Sequence, residues 1–455
     1  MKKRMYKIMA LAMTAAMVVP MAAQTTAFAA DDKEITYWNI AVESPDKDIV
    51  TAAVDKFNKE TKSGYTVNQV AIQNDTYKEK LVIAMSSGEC PDMYSSWSGG
   101  PMYEYIDSGF AQPIDDLLDQ SDVKDKLLDA AIEQGSYNGH VYAIPYLNVS
   151  LAGIFYNKDM FKQYGLEEPK TLADLENICA TLKENGITPF ALANGSKWTG
   201  SMYFMSLAAR YGGLEPFQNA VAGTGKFTDD CFIKAGEKIQ EWVKNGYFPD
   251  GVNSLSEDDG QAKQLMYQET AGMLLCGSWY TGTFQTDSEE FYQKIGWFPF
   301  PAIDDSDADP TIQIGTVGDQ FISFNCEGDK LAAAFECAAD HLSDEVEDMI
   351  YSTGKIAPVK DAGDHIKDPV VKEIFDAAQE ASSIQLWYDQ YLPTSVASAH
   401  LDGLQEVFGL TKTPQEAQEE MQTAMDEYLS TKSDSGAADD TAEEATDDAA
   451  ADDAE

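Results

Sequence analysis

The chain has 455 residues, of which 77 are acidic and 32 basic, giving a formal charge of −45. A field of that sign repels nucleic acid and anionic lipid. Arginine occurs only at Arg4 and Arg210, so the planar fork that usually grips phosphate or carboxylate is nearly missing, and a neutral or cationic ligand is expected unless helix N-termini and lysines hold an anion.

Lys2, Lys3, Arg4 and Lys7 precede an apolar run over 8–23, and Ala27-Phe28-Ala29 offers small residues for cleavage. This is the pattern of a secretory signal peptide over 1–30, and it predicts an extracytoplasmic protein, secreted, held at the cell surface or periplasmic. No cysteine lies near the cleavage site, so no lipid anchor is expected there. Cleavage takes the formal charge to −49, and ten of the acids fall in the segment from Ser433 onward. That segment is nearly all Ala, Asp, Glu, Thr and Ser, cannot bury enough apolar surface to order itself, and predicts a disordered acidic tail over 432–455.

In between, strands and helices alternate. A strand is predicted over 35–38. Ser44 then offers an N-cap and Pro45 a first-turn proline to a helix with Ile49, Ala53 and Phe57 on one face, closed by Gly64. Next come a strand over 65–72, a helix over 77–87 and a strand over 92–95. Strand, helix, strand repeated in this way predicts an α/β fold with parallel sheets flanked by helices. The pattern resumes with a strand over 151–156 and a helix running to 184 from a capping box at Thr171 and Asp174. Strands over 190–193, 271–276 and 321–324 follow, separated by amphipathic helices such as 232–245. After 331 nearly everything reads as helix, ending with 414–429. Roughly 400 ordered residues exceed what one core usually holds, so two lobes are expected.

The six cysteines (Cys90, Cys179, Cys231, Cys276, Cys326 and Cys337) lack metal-like or redox-like spacing and read as small buried hydrophobes. Asp305, Asp307 and Asp309 open like a calcium loop, but Pro310 replaces the turn glycine and Thr316 the bidentate glutamate. The four histidines show no zinc spacing, and neither G-x-S-x-G nor a P-loop occurs. No metal and no cofactor are expected. Four of the seven tryptophans, Trp97, Trp198, Trp279 and Trp387, stand where strands give way to loops, the place where open parallel sheets bind ligands. Trp38, Trp242 and Trp297 lie on apolar faces and read as core.

Gly88-Glu89-Cys90-Pro91-Asp92-Met93 followed by Trp97-Ser98-Gly99-Gly100 resembles the G-x-x-P-D strand and aromatic loop of extracellular solute-binding proteins of family 1, the maltose-binding-protein-like group. The stretch 139–146 with 154–159 is similar to that family's first crossover. The stretch 187–191 leading to Trp198, 273–279, 318–321 and 386–389 follow in the family's order. The resemblance implies a type II periplasmic-binding-protein-like fold of two lobes, 31–147 with 320–356 and 148–319 with 357–431. Its hinge would lie near 148–151, 317–321 and 356–359.

It also implies a monomer that is no enzyme, binds a neutral oligosaccharide in the cleft and delivers it to the membrane permease of an ABC importer. By match to the family, Trp97, Trp198 and Trp279 would stack on successive rings, because a pyranose has an apolar face and a polar rim. Asn39, Glu43, Asn148 and Asp319 would hold hydroxyls, Trp387 and Asp389 would close one end, and Tyr77 and Tyr146 are further candidates. Glu43 could instead only favour a helix N-terminus, and Asp319 could be a hinge residue only. Two other classes stay open: a binder of a cationic ligand such as a polyamine, held by aromatic rings and carboxylates, and a secreted glycoside hydrolase using a carboxylate pair.

Overall fold

Two apolar strands, Ser150–Asn157 and Ala271–Gly277, are buried along their whole length. A strand without alternating polarity has both faces covered. They lie at the centre of one of two large sheets in the computed structural model, which describes residues 33–448, with side chains through 432. The expected signal peptide lies outside the described residues.

The first lobe is built on a sheet ordered Thr66–Ala71, Glu34–Asn39, Met93–Ser96, Gln320–Phe324, Ala143–Tyr146. Its first three strands are parallel, as the strand-helix-strand pattern predicts. Gln320–Phe324 runs antiparallel between its neighbours, with Ile322 opposite both Ser95 and Ile144. The second lobe's sheet is ordered Ile384–Gln385, Gln313–Thr316, Ser150–Asn157, Ala271–Gly277, Thr188–Phe190, with Ile295–Phe298 also on Ser150–Asn157. Here too parallel and antiparallel pairs mix. The expected parallel pairs are present in both sheets, joined by antiparallel neighbours at Gln320–Phe324 in the first and at Ser150–Asn157 in the second.

Most local expectations hold. Thr171 and Asp174 form the capping box of helix Leu172–Glu184, Trp242 and Trp297 are core, and Trp38 packs half-buried on the cluster of Tyr77, Leu81, Met85 and Tyr94. A Cβ at Gly153 would lie 2.2 Å from the Trp297 ring, so only glycine admits that indole against the central strand. Cys90 is half-buried, the other five cysteines are buried, and all six are free. Some expectations shift. Ser44 does not cap helix Asp46–Glu60; its hydroxyl donates to Asp48 Oδ2 at 2.7 Å. The strand expected over 190–193 is Thr188–Phe190, because the chain turns into the 3-10 turn Asn194–Ser196. The last helix runs Pro414–Asp448, into the segment expected as an unstructured tail.

The chain passes between the two sheets at 147–149 and 317–319, and Asn148 ties both passages to the segment at 355–359. Its carbonyl accepts the Asp319 N–H at 2.7 Å, its Oδ1 accepts the Ile356 N–H at 2.8 Å, and the neighbouring Val149 N–H donates to the Ile356 carbonyl at 2.6 Å.

Candidate functional site

The parallel strands Glu34–Asn39 and Met93–Ser96 point their carboxyl ends the same way, so the loops that follow them converge on the space between the lobes. There lies a cavity of about 810 Å³, open solvent included. The first lobe contributes Ile40, Asp46 and Trp97 from its strand ends and the first turn of the next helix, and Asn74 and Lys78 from helix Asn74–Ser87. The second lobe contributes Trp198, Met202 and Met205, which share one face of helix Trp198–Gly212 at i, i+4 and i+7. It also contributes Trp279 beyond strand Ala271–Gly277, the loop acids Glu257 and Asp258, and Trp387, Asp389 and Gln390 around the short helix Tyr388–Tyr391. The second passage supplies Asp319 and Gln320. A second cavity of about 740 Å³ shares Ile40, Asp46, Glu257, Asp258 and Trp279 with the first and runs outward past Glu43, Lys263 and Lys355.

Three of the indoles form one cluster, in which Trp387 is buried at 2% exposure. The Trp279 centroid lies 6.0 Å from Trp198 at 57° and 6.0 Å from Trp387 at 69°. Trp97 stands on the first lobe with Tyr77 edge-on at 6.0 Å and the Lys78 ammonium 5.0 Å from its centroid. Such tilted and edge contacts fix ring orientation.

Acidic groups outnumber cations around these rings. Lys78 pairs with Asp389 at 3.2 Å, and the buried Lys355 is engaged by Asp46. Burial pushes the Asp319 carboxyl up to about 7, opposed by Lys355 and helped by Asp46. Burial likewise pushes Glu257 up to about 7, against the Tyr280 hydroxyl that donates to it and the nearby Lys263. Burial thus raises both carboxyls well above the ordinary carboxylate range. The remaining arginine, Arg210, is buried with its guanidinium on the Phe300 and Ile312 carbonyls, away from the cavity.

The expected residues divide in two. Trp97, Trp198, Trp279, Trp387, Asp319 and Asp389 line the first cavity and Glu43 the second. Glu43 is largely exposed and pairs with Lys263 at 3.5 Å. The other four, Asn39, Tyr77, Tyr146 and Asn148, do not line either cavity, and protein groups engage them. Asn39 is buried, accepting the Ala41 N–H at 3.0 Å and donating to Gln69 at 3.3 Å. The Tyr77 hydroxyl donates to the Ser95 carbonyl at 2.6 Å, so this residue props Trp97 from behind. The Tyr146 hydroxyl donates to Gln320 Oε1 at 2.8 Å, orienting an amide that does line the cavity. Asn148 is the tie between passages. Sequence reasoning missed Asp46, Asn74, Lys78, Glu257, Asp258, Gln320 and Gln390. It also missed Met202 and Met205, for which helical spacing from Trp198 was a usable signal.

A family model described as bacterial extracellular solute-binding protein matches residues 41–339. An uncharacterized ABC transporter extracellular-binding protein of Pyrococcus horikoshii is 32% identical over 228 residues, 50% of each chain. A multiple sugar-binding protein of Streptococcus mutans is 31% identical over 178 residues, 36% of this chain and 39% of that one. The chain thus spans about half or less of the length of these curated relatives. A solved structure described in terms of xylan utilization by the thermophilic bacterium Caldanaerobius polysaccharolyticus is similar at a TM-score of 0.78 and 29% identity, covering 86% of this chain and 99% of that one. A chitin oligosaccharide binding protein shares the fold at a TM-score of 0.79 and 23% identity, covering 87% and 98%.

Proposed function

Because the chain belongs to the bacterial extracellular solute-binding protein family, which binds substrates rather than transforming them, we propose that it captures a neutral oligosaccharide between its lobes for an ABC importer. The observation that carries this reading is the cavity itself, lined by Trp97 from one lobe and by Trp198, Trp279 and Trp387 from the other. Flat rings suit the C–H faces of pyranoses. Asp319 and Glu257, with Asn74, Gln320 and Gln390, suit the hydroxyl rim. Polar groups of this kind discriminate more sharply than stacking, since each one left unpaired costs about 1–3 kcal/mol. The names of the Streptococcus mutans relative and of the chitin-oligosaccharide structure support the same class.

In this reading the open form exposes the cleft, sugar contacts both lobes, and the closed form gains population because only it offers both sets of contacts. Motion is placed at 148–151, 317–321 and 356–359, and the closed form is what the permease subunits receive. Among the described residues no helix is long and apolar enough to cross a membrane. Calorimetry against xylo-, chito-, malto- and galacto-oligosaccharides should find one with a dissociation constant of about micromolar, roughly −8 kcal/mol. Silence across the panel would remove the assignment.

A cationic ligand is the second reading, favoured by one observation: five acids, Asp46, Glu257, Asp258, Asp319 and Asp389, line the first cavity with Lys78 as its one lysine. A larger melting shift with spermidine than with any sugar would establish it.

A further inference from the structure

The first backbone N–H groups of a helix have no partner within that helix, and at two helices of this chain the partner comes from the opposite lobe. Helix Asn74–Ser87 connects strands of the first lobe's sheet, and no side-chain cap bond is made from its N-cap position, Gln73. The N–H of Asp75, in its first turn, donates at 3.0 Å to Oδ2 of Asp258, in the loop before second-lobe helix Gln261–Tyr267. The reverse holds at the other side of the cleft. Helix Thr394–Phe408 packs on Trp198–Gly212 and Asp230–Lys244 in the second lobe, and its N-cap position is Pro393, which has no side chain to cap with. Its Thr394 donates to the carboxylate of Glu104, on first-lobe helix Gly100–Asp107, through the N–H at 3.0 Å and the hydroxyl at 2.5 Å.

Around the second contact the backbones meet closely. A Cβ at Gly100 would lie 2.3 Å from the Leu392 carbonyl oxygen, so glycine is what allows the lobes to approach there. Lys78, one turn beyond Asp75, adds its bond to Asp389.

We propose that Glu104 and Asp258 are positioning residues for ligand capture, each supplying the missing helix cap of the other lobe only when the lobes are together. Closure then carries a stabilisation of its own, independent of the ligand's identity, and it draws Asn74 and Lys78 over the cavity. Separation returns both N-termini to water. A carboxylate at such an end gains from the N–H bond and from the helix dipole together.

The test uses the mature protein without any sugar, with one dye on an exposed residue of each lobe, and reads the closed-to-open ratio by single-molecule energy transfer. The wild type should visit the closed spacing. Glu104→Ala should lower the ratio about fivefold, equivalent to about 1 kcal/mol at 1.4 kcal/mol per tenfold. Glu104→Gln, which keeps an acceptor, should retain most of it, and Asp258→Ala should act in the same direction as Glu104→Ala. Glu104 is the cleaner arm because it lines neither cavity. An unchanged ratio in Glu104→Ala with an intact melting transition, or a wild type that never reaches the closed spacing, overturns the proposal. A silent sugar panel would leave this result standing, so the two readings fail separately.

Discussion

Asp319 shows how much a single side chain's surroundings matter. Burial raises its folded pKa to about 7, above the ordinary carboxylate value near 4. The unfolded chain therefore ionises first as pH rises, and folded stability falls between about pH 4 and pH 7 and stays reduced above. Asp319→Asn should remove that slope, gaining on the order of 2 kcal/mol over wild type at pH 8 relative to pH 4, after discounting for its partial exposure. Paired urea titrations at the two pH values check this, and an equal pH dependence in both proteins would contradict it. At this scale the sequence was half legible. Trp97, Trp198, Trp279 and Trp387 could be found because an indole at a strand end has few reasons to be there except a ligand or a core. Tyr77 and Tyr146 looked equivalent, but a hydroxyl's partner depends on which strand passes behind it, as Ser95 and Gln320 do here. Glu257 and Asp258 sit among many acids without any period to distinguish them.

Among the elements, the passage at 147–149 does more than connect two sheets. Asn148 satisfies the Ile356 N–H with its side chain and that of Asp319 with its carbonyl, and its Nδ2 lies 3.3 Å from Ser278 Oγ. Asn148→Ala leaves the buried Ile356 N–H without its acceptor and should cost about 2 kcal/mol, visible as a lower denaturation midpoint. Asn148→Asp, which keeps the acceptor, should lose less. A wild-type midpoint in the alanine variant would mean the tie is dispensable. Helix and strand positions were largely readable from periodicity and caps, the box at Thr171 and Asp174 most clearly. Strand direction was not: nothing in the composition of 320–324 marks it as the strand that returns antiparallel between Met93–Ser96 and Ala143–Tyr146. The start of helix Asn74–Ser87, three residues earlier than the expected 77–87, is what brings Asn74 into the cavity wall.

For the whole molecule, the division into two lobes followed from length and the family resemblance, whereas the closeness of the lobes across the cleft depends on contacts between distant residues such as Gly100 with Leu392. The proposed function depends on that closeness, since Trp97 comes from one lobe and Trp198, Trp279 and Trp387 from the other. The most direct measurement is calorimetric titration of the best-binding oligosaccharide into wild type, Trp97→Ala and Trp279→Ala. Each variant removes a ring from a different lobe, and each should weaken binding by about tenfold or more, at least 1.4 kcal/mol, with the fold intact. Wild-type affinity in either variant would contradict the account that both lobes hold the ligand through their indoles.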